Sequence, residues 1–281
     1  MAKRALLIGI NRYLVPGADL RGCVNDVRNL KRALMRHFGF QANAVVVLTD
    51  LDATRKAMQR GIETLLRGAK SGDVLLLHYS GHGSNVPDDD GDEAENRDEI
   101  LCPADLDWKN PLRDDWLRKA FDGLPARVSL TVIMDCCHSG TNTRLVAPPD
   151  APIIERYLPS PWDLVAEESR RRLRGEVRGS LVPRKRQPRR KKDVVDVDIP
   201  EVLITGCRDT QTSADAYIGG SYNGALTYNL VAVLDEKKGR LTYGDLHARV
   251  IRRLRKDFDQ VPQLEGRRAA FDRPFLSSVE R

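Results

Sequence analysis

Two stretches, DVLLLHY at 73–79 and VSLTVIM at 128–134, are almost unbrokenly apolar and show none of the alternation of a strand with one wet face. Strands of this kind are buried on both sides, and the arrangement that buries them is a parallel sheet covered by helices. The rest of the chain supplies matching parts. Residues 4–10, 44–48 and 201–205 read as further short apolar strands. Residues 25–38 place Val27, Leu30, Leu34 and Phe38 at helical spacing and stop at Gly39, and 54–66, 114–121, 225–234 and 243–256 read as further helices. The expectation is an α/β fold, divided into a larger and a smaller portion by a Pro- and Arg-rich interruption at about 147–198.

Charge separates that interruption from the rest. Residues 170–192 hold nine Arg and three Lys against one acid, Glu176, a local charge of +11, so the remainder carries −5 of the total +6. Three readings of this basic strap stand: a solvated run of like charge, a regulatory or cleavable segment, and a nucleic-acid arm. It lacks the interleaved aromatics of a nucleic-acid surface, which makes nucleic acid the poorest of the three. No run of eighteen apolar residues exists, so no membrane span is expected. The start, MAKRALLIGI, lacks a small-residue cleavage site and reads as a first strand rather than a signal peptide. Five cysteines at irregular spacing suit a reducing cytosol better than a disulfide scaffold, so a cytoplasmic location is expected.

Chemistry concentrates at the ends of the two most apolar strands. One runs into Ser80-Gly81-His82-Gly83 and the other into Asp135-Cys136-Cys137-His138-Ser139-Gly140. In open α/β sheets ligands gather at the carboxyl ends of strands, so neighbouring strands would put His82 and a cysteine on one edge. A thiol with an imidazole from another loop is the minimal set for nucleophilic thiol catalysis. The glycines beside His82 fit a backbone that must come close to a substrate. A metal reading fails, because three consecutive residues do not close a tetrahedral site and no second Cys/His pair lies at zinc-like spacing. A vicinal disulfide of Cys136 and Cys137 stays open, although a redox enzyme would normally show Cys-x-x-Cys.

HYSGHG (78–83) and DCCHSG (135–140) together resemble the signature of metacaspases and their prokaryotic relatives, the orthocaspases, caspase-like cysteine peptidases. The separation of 55 residues between His82 and Cys137 agrees with that pattern. Further elements follow in order: GCVND (22–26), CRDTQTSAD (207–215), GALT (224–227) and PQLEG (262–266). The resemblance implies a caspase-like three-layer α/β/α sandwich around a mostly parallel sheet, with a large-subunit-like part at 1–164, the basic linker at 165–198 and a small-subunit-like part at 199–281. It also implies catalysis by His82 and Cys137, the residue directly before His-Ser-Gly, with Cys136 a bystander, and cleavage after basic residues, Arg or Lys. Asp26, Asp135, Ser80 and Cys23 are implied to line the primary pocket, and paired carboxylates suit the two-pronged guanidinium. Backbone N–H groups of Gly83 and Cys137 would hold the oxyanion. His78 reads as a satisfied core histidine and His138 as structural.

The strap gains a meaning from this resemblance, as an activation linker cut by the enzyme or an upstream protease, or docked in the acidic pocket as a pseudo-substrate. No cofactor is required for the chemistry. Calcium is the one candidate activator, at Asp98 of the acidic loop 88–99 with Asp114 and Asp115. Against it, the family's further Asp, seven residues after the nucleophile, is Arg144 here. DDDGDE also resembles half an EF-hand loop, but no Glu stands at the twelfth position with flanking helices. Peptide and protein substrates are the expected partners, and a monomer the expected state. A catalytically silent scaffold and a nucleic-acid-binding protein remain the alternatives.

Overall fold

The computed structural model describes residues 1–88, 97–137, 153–165, 193–208 and 211–279. Its centre is a seven-stranded sheet in the spatial order β2 (Val45–Thr49), β1 (Lys3–Gly9), β3 (Val74–Ser80), β7 (Ser129–Asp135), β10 (Glu201–Thr205), β13 (Gln263–Gly266) and β9 (Val194–Asp196), strands being numbered along the chain. The first five are parallel; β13 runs antiparallel to β10, and β9 pairs parallel with β13.

Side chains of the central strands alternate between two apolar layers, as the pleat requires. Leu6 and Ile8 of β1, Leu75 and Leu77 of β3, and Leu130 and Val132 of β7 share one layer with Met58 and Ile62 of α2 (Arg55–Leu66) and Leu117 and Phe121 of α3 (Asp114–Asp122). Leu7, Leu76 and Ile133 share the other with Val27 and Leu30 of α1 (Cys23–Phe38), Leu230 of α4 (Ala225–Glu236) and Leu246 of α5 (Tyr243–Leu254). Each such side chain, fully withdrawn from water, contributes about 1.5–3 kcal/mol before chain entropy is counted. The result is the expected α/β/α sandwich. Among the described residues no helix is long and apolar enough to cross a membrane.

The helices and five of the apolar strands fall within a residue or two of their expected places. The short strands do not appear in the sequence reading. A small sheet of β4 (Gly83–Pro87), β5 (Arg97–Leu101) and β6 (Leu112–Arg113) covers the α2/α3 side, and another joins β8 (Ile153–Glu155), β11 (Ala214–Ile218) and β12 (Ser221–Gly224). Residues 194–196, within the linker as read from sequence, form the edge strand β9. The vicinity that matters follows from one pairing: β3 and β7 are neighbours in parallel register, with Ser80 opposite Asp135. Both polar clusters therefore leave the sheet at the same edge.

Candidate active site

Ser80 and Asp135 project from the last positions of adjacent strands onto the α1 side, where Asp26 sits in the first turn of α1. A carboxylate at a helix N-terminus is favoured by the helix dipole. Asp26 accepts hydrogen bonds from Ser80 Oγ at 2.7 Å and from the Gly224 N–H at 2.9 Å. Asp135 accepts from Ser213 Oγ at 2.6 Å and from the N–H and hydroxyl of Thr227 at 2.9 and 2.7 Å. A third carboxylate, Asp215 of β11, takes the N–H groups of Arg21 and Gly22 at 2.7 and 3.1 Å. All three acids are buried, as is Cys23, whose thiol burial pushes well above its ordinary range.

The cation among them is Arg156, with 0% of its surface exposed. Its Nη2 lies 2.8 Å from Asp26 and 3.9 Å from Asp215, while Nη1 donates to Ser80 Oγ at 2.8 Å and lies 3.3 Å from Asp135. Burial opposes the charge on Arg156, but Asp135, Asp26 and Asp215 outweigh it and hold the guanidinium well above its ordinary range. Three carboxylates face one guanidinium, so negative charge is in excess. Burial, with Asp135 beside it, accordingly raises Asp26 to about 7 although Arg156 and Ser80 pull it down. Gly224 closes the pocket, since a Cβ there would land on the Asp135 carboxylate and the Arg156 guanidinium.

The backbone of Arg156 is held as firmly as its side chain. Its carbonyl oxygen accepts from the N–H of Gly83 at 3.0 Å and from the N–H of Cys137 at 3.2 Å, the two donors expected to hold an oxyanion. Its N–H donates to the Ser213 carbonyl at 2.9 Å. Residues before it form β8 and pair antiparallel with β11, Glu155 opposite Ala214 and Ile153 opposite Ala216. After it, the Leu158 N–H donates to the Gly83 carbonyl at 2.9 Å and Ser84 Oγ donates to the Leu158 carbonyl at 2.6 Å.

His82 follows a turn at Gly81, where a Cβ would meet the hydroxyls of Tyr79 and Tyr13 at 2.6 and 2.7 Å. Its backbone N–H donates to Tyr13 Oη at 2.9 Å, and its ring Nε2 donates to the Ala18 carbonyl at 2.9 Å. Nδ1 therefore carries the lone pair, and it has no hydrogen-bond partner among the described residues. Burial lowers the imidazole pKa to about 4, so the ring is neutral. Cys137 is 1% exposed; its Sγ takes the Ser213 N–H and lies 3.5 Å from Cys207 Sγ. The structure thus gathers His82, Cys137 and Gly83 at one edge, yet the thiol is engaged with Ser213 and Cys207 and makes no hydrogen bond to His82.

Other expectations fare differently. His78 is buried in β3 with Nε2 on Thr227 Oγ1 at 3.2 Å, but its Nδ1 has no partner, so it is only half satisfied. Cys136 packs into the α2/α3 layer. His138, Arg144, most of the acidic loop and the strap at 170–192 lie outside the described residues. Among the described residues no three His, Cys, Asp or Glu side chains are placed to hold a metal. Asp98 is ion-paired with Arg113 at 2.7 Å and Asp114 with Arg118 at 3.3 Å.

Sequence reasoning missed Arg156, Ser213 and Asp215. The last two lie in the quoted stretch 207–215 but stand out there by nothing except position, and Arg156 is one arginine in a chain rich in them. The occupant of the acidic pocket is consequently not a strap residue but one from the segment before the strap.

The model of the metacaspase peptidase C14 domain matches residues 3–146. Metacaspase-1 of Eremothecium gossypii is 32% identical, over 93% of this chain and 63% of its own length. Metacaspase-1 of Cryptococcus neoformans var. neoformans serotype D is 34% identical, over 94% of this chain and 62% of its own. The chain thus spans less than two thirds of the length of these curated relatives. A crystal structure of a protein from Geobacter sulfurreducens superposes over 100% of both chains, with a TM-score of 0.70 and 26% identity.

Proposed function

The chain belongs to the metacaspase family, and on that premise we propose that it is a cysteine endopeptidase hydrolysing peptide bonds after Arg, and also after Lys, by a Cys137–His82 dyad. The observation that carries the Arg preference is Arg156, buried among Asp26, Asp135 and Asp215 with its carbonyl oxygen on the N–H groups of Gly83 and Cys137.

In this reading the substrate's P1 guanidinium takes the place of Arg156, two-pronged between Asp26 and Asp135. Arg fits better than Lys because its two terminal nitrogens reach separate acceptors, whereas an ammonium is a single point. The Cys137 sulfur turns from Ser213 toward the bound carbonyl carbon, and Nδ1 of His82, already the lone-pair nitrogen, takes the thiol proton and returns it to the departing amine. Negative charge developing on the carbonyl oxygen meets the two preorganised N–H donors; loss of one such donor typically costs about 2.7–4 kcal/mol of transition-state stabilisation. The chain is made latent, and cutting in the region that joins its two parts activates it.

A fluorogenic panel with Arg, Lys and Asp at P1, followed over time on wild type and Cys137→Ala, tests the assignment. Hydrolysis in the order Arg, then Lys, with none after Asp and none by Cys137→Ala, is the expected result. Cleavage after Asp alone, or turnover that survives Cys137→Ala, overturns it.

A further inference from the structure

We infer that Gln260 is a positioning residue of the reaction, tying recognition of the P1 main chain to recognition of the P1 side chain. The site then favours an arginine whose own nitrogen carries a hydrogen, as it does within a peptide. The inference rests on the peptidase reading above and adds to it a residue and the form of substrate that residue selects.

Gln260 lies between α5 and β13 and is only 3% exposed. Its stretch of chain is pinned by Gln211, whose Oε1 accepts the Val261 N–H at 3.0 Å and whose Nε2 donates to the Asp259 carbonyl. The Gln260 amide is occupied at both ends. Oε1 accepts the Ala214 N–H at 3.0 Å, while Nε2 donates to the Gly206 carbonyl at 2.9 Å and to Ser213 Oγ at 3.3 Å. A buried amide costs stability unless its hydrogen bonds are made, and once they are made it holds one orientation.

That orientation fixes Ser213 from two sides. Because the Ser213 hydroxyl accepts from Gln260, its own hydrogen is left for Asp135, to whose Oδ1 it donates at 2.6 Å. The other oxygen of Asp135 faces the guanidinium in the pocket, 3.3 Å from Arg156 Nη1. The Ser213 carbonyl accepts the Arg156 N–H at 2.9 Å, and it belongs to the same peptide unit as the Ala214 N–H that Gln260 holds. One route therefore leaves the pocket's occupant through its backbone nitrogen and another through its guanidinium, and the two meet at Gln260. Among the described residues Gln260 makes no hydrogen bond to Arg156, so it acts through Ser213 and Asp135.

Every link runs from donor to acceptor in the same sense. The occupant's N–H gives to the Ser213 carbonyl, Ala214 N–H to Gln260 Oε1, Gln260 Nε2 to Ser213 Oγ, and that hydroxyl to Asp135. In such a chain each bond polarises the next, by about 10–30% per bond. Ser213 also gives its N–H to Cys137 Sγ, so the residue that Gln260 places touches the nucleophile as well. Gly206 makes room for the arrangement, since a Cβ there would lie 2.7 Å from Ser213 Oγ and 3.2 Å from the Cys136 carbonyl.

The test uses four fluorogenic peptides alike except at P1: Arg, citrulline, and the ester analogue of each, with oxygen in place of the P1 nitrogen. Values of kcat/KM are measured on the full chain as wild type, Gln260→Met and Gly206→Ala, with melting as the check on folding. In wild type, the loss from changing both features is expected to be at least about threefold smaller than the product of the two separate losses. In Gln260→Met, which keeps the length without the amide, the losses should multiply, and hydrolysis of the Arg amide should fall roughly tenfold. Gly206→Ala should show the same uncoupling. A glutamine that merely supports the fold would lower all four rates by one factor and leave the coupling intact. That result, or losses that already multiply in wild type, overturns the proposal while hydrolysis of the Arg peptide keeps the peptidase reading. Should neither variant fold, the wild-type comparison decides, coupled losses supporting the proposal and multiplying ones overturning it. Absence of hydrolysis of every peptide by wild type sinks both.

Discussion

At the scale of single residues, the pocket depends on the hydrogen bonds that fix its acids, Ser80 Oγ and the Gly224 N–H on Asp26 and the Thr227 hydroxyl on Asp135. Thr227→Val should lower kcat/KM for Arg peptides by roughly fivefold or more in steady-state kinetics. His82, Cys137, Ser80 and Asp135 announced themselves because polar clusters stand out at the ends of apolar strands. Arg156 did not, because its role comes from the three carboxylates that the fold brings around it rather than from its neighbours Glu155 and Tyr157. Gly224 is another such case: its lack of a side chain is what leaves room for a guanidinium between Asp26 and Asp135. Gly224→Ala should therefore lower kcat/KM for Arg peptides by roughly tenfold to a hundredfold, on overpacking costs of about 1–3 kcal/mol. Steady-state kinetics on the two chains would reveal it, and unchanged turnover would mean that substrate does not enter where Arg156 lies.

Elements were legible in proportion to their length. Helices α1, α2, α4 and α5 span enough turns for their apolar spacing to show, and β3 and β7 are apolar throughout. Strands of two to five residues such as β6, β8 and β12 have no period to read, and their pairing is decided by distant partners. The site depends on contacts between elements that no local pattern encodes. The Thr227 hydroxyl, at the start of α4, donates to Asp135 and so accepts from Nε2 of His78 in β3. Burial lowers the His78 pKa from 6.5 to about 4, as it does that of His82. Between those values the unfolded chain binds protons that the folded chain refuses. Stability attributable to these histidines is therefore whole above pH 6.5 and declines as pH falls toward 4, each contributing up to about 1.4 kcal/mol per pH unit. Asp26, raised by burial from 3.8 to about 7, acts in the opposite sense across the whole of that range. His78→Gln, which keeps a donor for Thr227 and cannot titrate, should flatten the acid limb of a melting-temperature profile. Parallel profiles for the two chains would contradict the buried, neutral assignment.

For the molecule as a whole, the layered sheet was foreseeable from apolar runs alone, but the pocket was not. It is assembled from segments near residues 26, 80, 135, 156 and 215, and the last of these comes from the portion beyond the basic strap. A chain that must join both its portions around one arginine binds its specificity to its own folding. On the function proposed here, the residue that fills the pocket and the P1 side chain it would select carry the same guanidinium. The central claim is that this pocket selects a positive, planar P1 group. Its most direct test compares kcat/KM for two otherwise identical peptides, one with Arg and one with its neutral isostere citrulline at P1, on the self-cleaved chain with Cys137→Ala as the blank. Removing one partner of a buried charge pair costs about 2–5 kcal/mol, so Arg is expected to be favoured by at least about thirtyfold. Equal rates for the two peptides would contradict the account.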